Sequence, residues 1–94
     1  MAVAIDIEFK GTTMEQYDQS VQKMGFTPGG KHRPGCLFHW VTETDDGFRV
    51  VDVWETREQF ERFAEEEVIP AAQEFGMGQP EMEFSEVHNY MTAG

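Results

Sequence analysis

The most constraining feature of this 94-residue chain is the segment from Cys36 to Glu55. Two β-rich runs, Cys36 to Thr44 and Phe48 to Glu55, flank Thr44-Asp45-Asp46-Gly47. Asp-Gly between apolar runs is a strong hairpin signal, because a type I′ turn needs positive φ at both central residues. Taking Asp46-Gly47 as the turn opposes Asp45 to Phe48, Val41 to Asp52 and His39 to Trp54. Alternation then puts Leu37, His39, Val41, Val50, Asp52 and Trp54 on one face. Phe38, Trp40, Val51 and Val53 fall on the other. Both faces of this hairpin are apolar, so it must be covered on both sides.

The flanking segments supply the first cover. Val3, Ile5, Ile7 and Phe9 alternate with Ala4, Asp6 and Glu8, the period-two pattern of a half-buried strand. Thr12-Thr13-Met14-Glu15 fits a capping box, and Met14, Tyr17, Val21 and Met24 follow at helical spacing, predicting a helix over 12–24 that Gly25 closes. Thr56-Arg57-Glu58-Gln59 opens a second helix with Phe60, Phe63 and Ala64 on its apolar stripe. Pro70 should kink or end it near Val68, with a short restart from Ala71 to Phe75. A last strand is expected from about Glu81 to Met91. The order β-α-β-β-α-β predicts an α+β, ferredoxin-like single domain over 1–94, a four-stranded antiparallel sheet with the first and third strands central. Right-handed crossovers put both helices on one face.

Two helices cover one face only, which leaves either the Phe38 side or the His39 side of the hairpin in water. Monomeric proteins rarely expose an apolar patch of several hundred Å². At roughly 25 cal/mol per Å², covering it stabilises by several kcal/mol before association costs. A second copy packed sheet to sheet is the simplest cover, so a homodimer is expected.

Charge narrows the partners. A formal net charge of −11 and a pI near 4.4 argue against nucleic acid and anionic membrane surfaces. The single Cys36 has no internal disulfide partner, which suits a reducing, cytoplasmic setting. Met1 to Phe9 carries Asp6 and Glu8 and does not read as a targeting signal, and no apolar run approaches the ~20 residues of a membrane helix.

Val51-Asp52-Val53-Trp54-Glu55 runs straight into Thr56-Arg57-Glu58-Gln59-Phe60-Glu61-Arg62-Phe63, and the chain closes with Val87-His88-Asn89-Tyr90. With the element order, these residues resemble the dimeric α/β-barrel superfamily, and within it the small antibiotic-biosynthesis-monooxygenase-like proteins. The resemblance covers most of the chain and implies a barrel closed between two subunits. Members of that superfamily carry out cofactor-free quinone-forming oxygenation, haem degradation, lactone isomerisation, dehalogenation-type steps or simple ligand binding, so fold alone does not choose among them. Haem degradation there relies on a helical histidine, and neither expected helix has one.

Asp52 is the most informative position, because a carboxylate within Val50-Val51-Asp52-Val53-Trp54 is costly to bury unpaired. His39 is its best partner, diagonal across the hairpin with backbones ~7–8 Å apart. A carboxylate that orients an imidazole makes an acid/base pair, and the same pair can instead serve packing alone. Trp54 and Tyr17 can wall a ligand pocket, and each can equally be a core aromatic. His88 and Tyr90, two apart on the expected last strand, can share a pocket. His39 and His88 should lie on opposite sheet edges about 14 Å apart, His32 has no partner at metal-motif spacing, and no metal or cofactor is expected. The Gly/Pro-rich stretch Gly25 to Gly35 reads as a long loop whose Lys31, His32 and Arg33 either steer an anionic substrate or face solvent.

The leading expectation is therefore a cofactor-independent enzyme, monooxygenase-like or isomerase-like, acting on a small apolar or aromatic molecule. His39 and Asp52 are its expected catalytic pair, with Trp54, Tyr17, His88 and Tyr90 around the substrate. The alternative is a non-catalytic or stress-related barrel protein that only holds a small ligand.

Overall fold

The computed structural model describes residues 2–93. β1 (Val3–Lys10) leads to α1 (Met14–Lys23), then to the hairpin β2 (Cys36–Thr44) and β3 (Gly47–Trp54). A second helical rod follows, α2 (Arg57–Phe63), a π-helical turn (Ala64–Val68) and α3 (Ile69–Glu74), before β4 (Glu81–Glu86). The sheet order is β2-β3-β1-β4, and every neighbouring pair is antiparallel. The chain thus has the expected α+β, ferredoxin-like fold with the first and third strands central.

Local chemistry explains the helix ends. The cap of α1 is Thr13, one residue later than the first threonine. Its hydroxyl accepts from the Gln16 amide at 3.1 Å, and Gln16 Oε1 accepts from the Thr13 amide at 2.8 Å. Thr12 is buried and donates to the Phe9 carbonyl, tying the turn to the end of β1. Gly25 takes φ 87°, and the amides of Gly25 and Phe26 bond back to Gln22 and Val21, which closes α1 as a Schellman motif. Thr56 and Gln59 form the expected box on α2. Pro70 does not end the second rod. The π-turn just before it, closed by Ile69 N–H to the Ala64 carbonyl, widens the backbone where an α-helical ladder would meet the missing N–H and the ring of proline.

The hairpin register differs from expectation by two residues. His39 pairs with Asp52, Trp40 with Val51, and Thr44 with Gly47, so Asp45-Asp46 is the turn. Neither aspartate has positive φ. Gly47 belongs to the strand, where a Cβ would collide with the Phe9 carbonyl of β1. Because the side-chain period is two, a two-residue shift preserves both face assignments. A bulge between Cys36 and Phe38 leaves Leu37 unpaired at the start of β2.

The helices pack on the His39 side. Val3, Ile5, Ile7 and Phe9 of β1 and Phe48, Val50 and Trp54 of β3 are buried against Phe60, Phe63 and Ala72. Trp54, Phe48, Phe60 and Ile5 are almost wholly enclosed, and each such side chain contributes roughly 1.5–3 kcal/mol. On the opposite face Phe38 is 50% and Trp40 38% exposed. Arg49 lies over Trp40 and donates from Nε to Asp6 Oδ1 at 2.9 Å. Among the described residues, no helix is long and apolar enough to cross a membrane.

β4 is shorter than expected. Its ladder with β1 ends at the pair Val3 and Glu86, after which only Val87 N–H to the Ala2 carbonyl remains. Val87 to Met91 lie outside the sheet, and His88, Asn89 and Tyr90 are exposed.

Candidate active site

Asp52 projects from the middle of β3 into the core and is 2% exposed. Its burial is compensated from two sides. Trp54, two residues along the same strand face, donates its indole N–H to Oδ2 at 3.1 Å. His39, directly opposite on β2, places Nδ1 2.6 Å from Oδ1. On its far side, His39 Nε2 lies 2.7 Å from the Tyr17 hydroxyl of α1.

Donor arithmetic orders these protons. Trp54 can only donate, and a carboxylate can only accept, so a neutral His39 imidazole carries its proton on Nδ1 and presents a lone pair at Nε2. The Tyr17 O–H then donates to that lone pair. Burial, and after it the charges of Asp52 and Asp18, pushes the Tyr17 phenol up to about 12, which keeps it a donor at neutral pH. Tyr17 is held in place by a parallel stack on His39 and an edge contact with Phe48. The result is a continuous chain from Tyr17 through His39 to Asp52, logically like a nucleophile-base-carboxylate triad but with a phenol at its outer end.

The loop after α1 closes over this chain. Arg33 fastens it, donating to both Glu67 oxygens on the π-turn at 3.0 and 2.7 Å and to the Met24 carbonyl, while its guanidinium stacks on Phe26. This anchoring brings His32 inward among Phe26, Phe63, Trp54 and His39, with ring centroids 4.6 to 5.4 Å away. Burial pushes the His32 pKa down, and His39 and Arg33 add to this, against the opposing pull of Asp52 and Glu67. His32 Nδ1 accepts from the Arg33 amide at 2.8 Å. That bond fixes the neutral tautomer with its proton on Nε2.

His32, His39 and Asp52 each offer an atom within 4.8 Å of the others, so the structure supplies a cluster that sequence spacing does not reveal. Two histidines and a carboxylate are a cation set by residue type. Here His39 Nε2 is engaged with Tyr17, one acceptor site of each Asp52 oxygen with His39 or Trp54, and His32 Nδ1 with the Arg33 amide. Cys36, nearby, donates to the Phe38 carbonyl, and burial with the Asp52 charge raises its thiol to about 12, so it stays protonated.

A cavity of about 900 Å³ lies between α1, the loop and the sheet, bounded by Tyr17, Phe26, His32, His39 and Asp52. Of the residues singled out from sequence, Tyr17, His39 and Asp52 meet here. Trp54 does not line the cavity; it stands behind Asp52 with its N–H already used. His88 and Tyr90 line a separate shallow hollow with Ala2 and Val87. His32, which spacing alone leaves without a partner, joins this group at the cavity, and sequence reasoning does not place it there.

Fold and site together define a small ferredoxin-like α+β protein with a hydrogen-bonded Tyr17–His39–Asp52 chain at a cavity. No family model matches the chain, and no curated protein matches it by sequence. Solved structures match almost its whole length. A candidate antibiotic biosynthesis monooxygenase from Chloroflexus aurantiacus aligns with TM-score 0.67 and 17% identity over 100% of both chains. SnoaB from Streptomyces nogalater, a cofactor-independent oxygenase, aligns in a mutant form with TM-score 0.66 and 18% identity over 96% of both chains. A monooxygenase from the gene ActVA-Orf6 of Streptomyces coelicolor, solved with the ligand nanaomycin D, aligns with TM-score 0.55 and 17% identity over 99% of this chain and 92% of its own. At these identities the likeness is one of fold.

Proposed function

We propose that the protein is a cofactor-independent monooxygenase of small, apolar, hydroxylated or carbonyl-bearing molecules. The observation that carries this reading is the chain Tyr17–His39–Asp52 ending at a largely apolar cavity. A substrate O–H, or a C–H acidified by a neighbouring carbonyl, gives its proton to the Tyr17 oxygen as the Tyr17 proton moves to His39 Nε2. The imidazolium formed is held by Asp52 at its other nitrogen. Proton transfer therefore creates the substrate anion while the positive charge stays on the buried pair.

Such an electron-rich anion is the reductant. Oxidation of an activated CH₂ to a carbonyl releases four electrons, which dioxygen accepts; one oxygen atom enters the product and the other leaves as water. Substrate and dioxygen alone balance the reaction. The structural kinship with a cofactor-independent oxygenase supports this choice over isomerisation, which would use the same proton transfer.

A second copy of the chain is the proposed cover for Phe38 and Trp40, since neither helix reaches that face. The unpaired Cys36 suits a cytoplasmic setting.

Oxygen uptake tests the assignment. With anthrone as probe in metal-free buffer, wild type should consume one dioxygen per carbonyl formed, and His39→Ala should lose most of this rate. Stoichiometric anthrone binding without uptake would instead identify a ligand-binding protein.

A further inference from the structure

His32 has a chemistry that the proton chain does not use. Its ring is half-buried in an aromatic enclosure, yet its Nε2 has no protein partner among the described residues. That nitrogen is not a fully buried orphan either, since no enclosed side-chain polar atom among the described residues lacks a partner. It therefore keeps some access to solvent, and His32 is one of the residues that line the cavity. The Arg33 amide on Nδ1 makes Nε2 an N–H donor, one nitrogen of the ring lies within 4.8 Å of His39 and Asp52 atoms, and His32 and Tyr17 line the same cavity.

We infer that His32 is the anion-binding residue of the site: its Nε2–H donates to the substrate oxygen that becomes negative when Tyr17 takes the proton. The inference rests on the proton-transfer reading above and adds the ligand's chemical form, a phenolate or enolate oxygen received by two N–H and O–H donors, His32 and Tyr17. Neutral His32 suits the task, because an imidazolium would place a second positive charge beside the one that forms on His39. Burial among Phe26, Phe63 and Trp54 keeps it neutral. Its mounting is consistent with positioning: Arg33, the next residue, is tied to Glu67, Met24 and Phe26, so the donor is held without a strand or helix beneath it. A donor made only to a charged oxygen discriminates between protonation states of one ligand. A charge-assisted hydrogen bond of this kind corresponds to about tenfold or more in affinity.

4-Nitrophenol is a suitable probe, because its absorbance separates phenol from phenolate and it reacts no further. Titrations on either side of the probe's own pKa give affinities for both forms. Wild type should bind the phenolate more tightly than the phenol. His32→Phe, which keeps the aromatic packing, should lose roughly tenfold in phenolate affinity with phenol affinity unchanged, and His32→Gln should recover part of it. Equal phenolate preference in wild type and His32→Phe, or no phenolate binding by wild type, overturns the inference. Long-range ¹H–¹⁵N spectra of the wild-type histidines test it without any variant, and an Nδ1–H tautomer at His32 also overturns it. Phenolate selectivity that depends on His32 in a protein showing no oxygen uptake would uphold this site while rejecting the oxygenase reading.

Discussion

Asp6 and Asp52 sit on the two central strands, on opposite faces of one sheet, and the protein treats them in opposite ways. Asp6 on the open face meets Arg49, and both side chains are more than a third exposed. Asp52 on the helix-covered face is 3% exposed as a side chain and meets a histidine and an indole, with no lysine or arginine beside it. A formal cation would neutralise Asp52 permanently, as Arg49 does Asp6. An imidazole leaves the charge available to be balanced only when a proton arrives. The outer face thus commits its carboxylate to a solvated ion pair, and the inner face holds one that no lysine or arginine balances.

The contrast is broken most severely at Asp52. Asp52→Ala leaves His39 Nδ1 and the Trp54 N–H without an acceptor in the core, and should destabilise the fold by about 3 kcal/mol, read from urea unfolding. A loss below about 1 kcal/mol would mean that the pair is not stabilising the core. Tyr17→Phe removes only the outer hydroxyl. It should lower anthrone-dependent oxygen uptake by roughly a hundredfold while shifting stability by about 1 kcal/mol or less. Uptake at the wild-type rate would show that the phenol is not the group that receives the proton.

On the other face, Trp40→Glu should leave the subunit folded and change its association. Light scattering at micromolar concentration should give the mass of two chains for wild type and one for the variant. A wild-type mass of one chain would sink the proposed pairing, and the open face would then be a tolerated patch.

What sequence can foresee follows the range of the forces involved. Strand alternation in Val3–Lys10 and the Thr56/Gln59 box are local, and they appear as read. The face assignment of the hairpin survives a misplaced turn because the error is two residues, so His39 and Asp52 move from diagonal to directly opposed neighbours. Asp52 stands out as a charge in an apolar strand. His32 does not, since its place depends on Arg33 reaching Glu67, 34 residues away, and no periodicity records such a contact. His88 and Tyr90, expected on the last strand, lie beyond its observed end, because the ladder with β1 stops at the Val3 and Glu86 pair, a long-range pairing that residues 87–91 do not encode. Trp54 takes the second of its two readings, a core aromatic away from the cavity, with its indole N–H on Asp52.

The smallest effect belongs to Asp6. The hydrogen bond from Arg49, with its charge adding and partial burial opposing, holds the Asp6 carboxyl below its ordinary 3.8. The unfolded chain therefore binds the proton more readily than the folded one, and stability rises with pH across that interval. The Asp6 contribution is present above 3.8 and disappears as pH falls through the lower folded value. Solvent screening of so exposed a pair keeps it small. Asp6→Asn should thus produce a slight fall in the urea midpoint at neutral pH, a difference that shrinks on acidification and with added salt. A difference that grows in acid, or rivals that of Asp52→Ala, would erase the distinction between the faces, because Asp6 would then be acting as a buried charge.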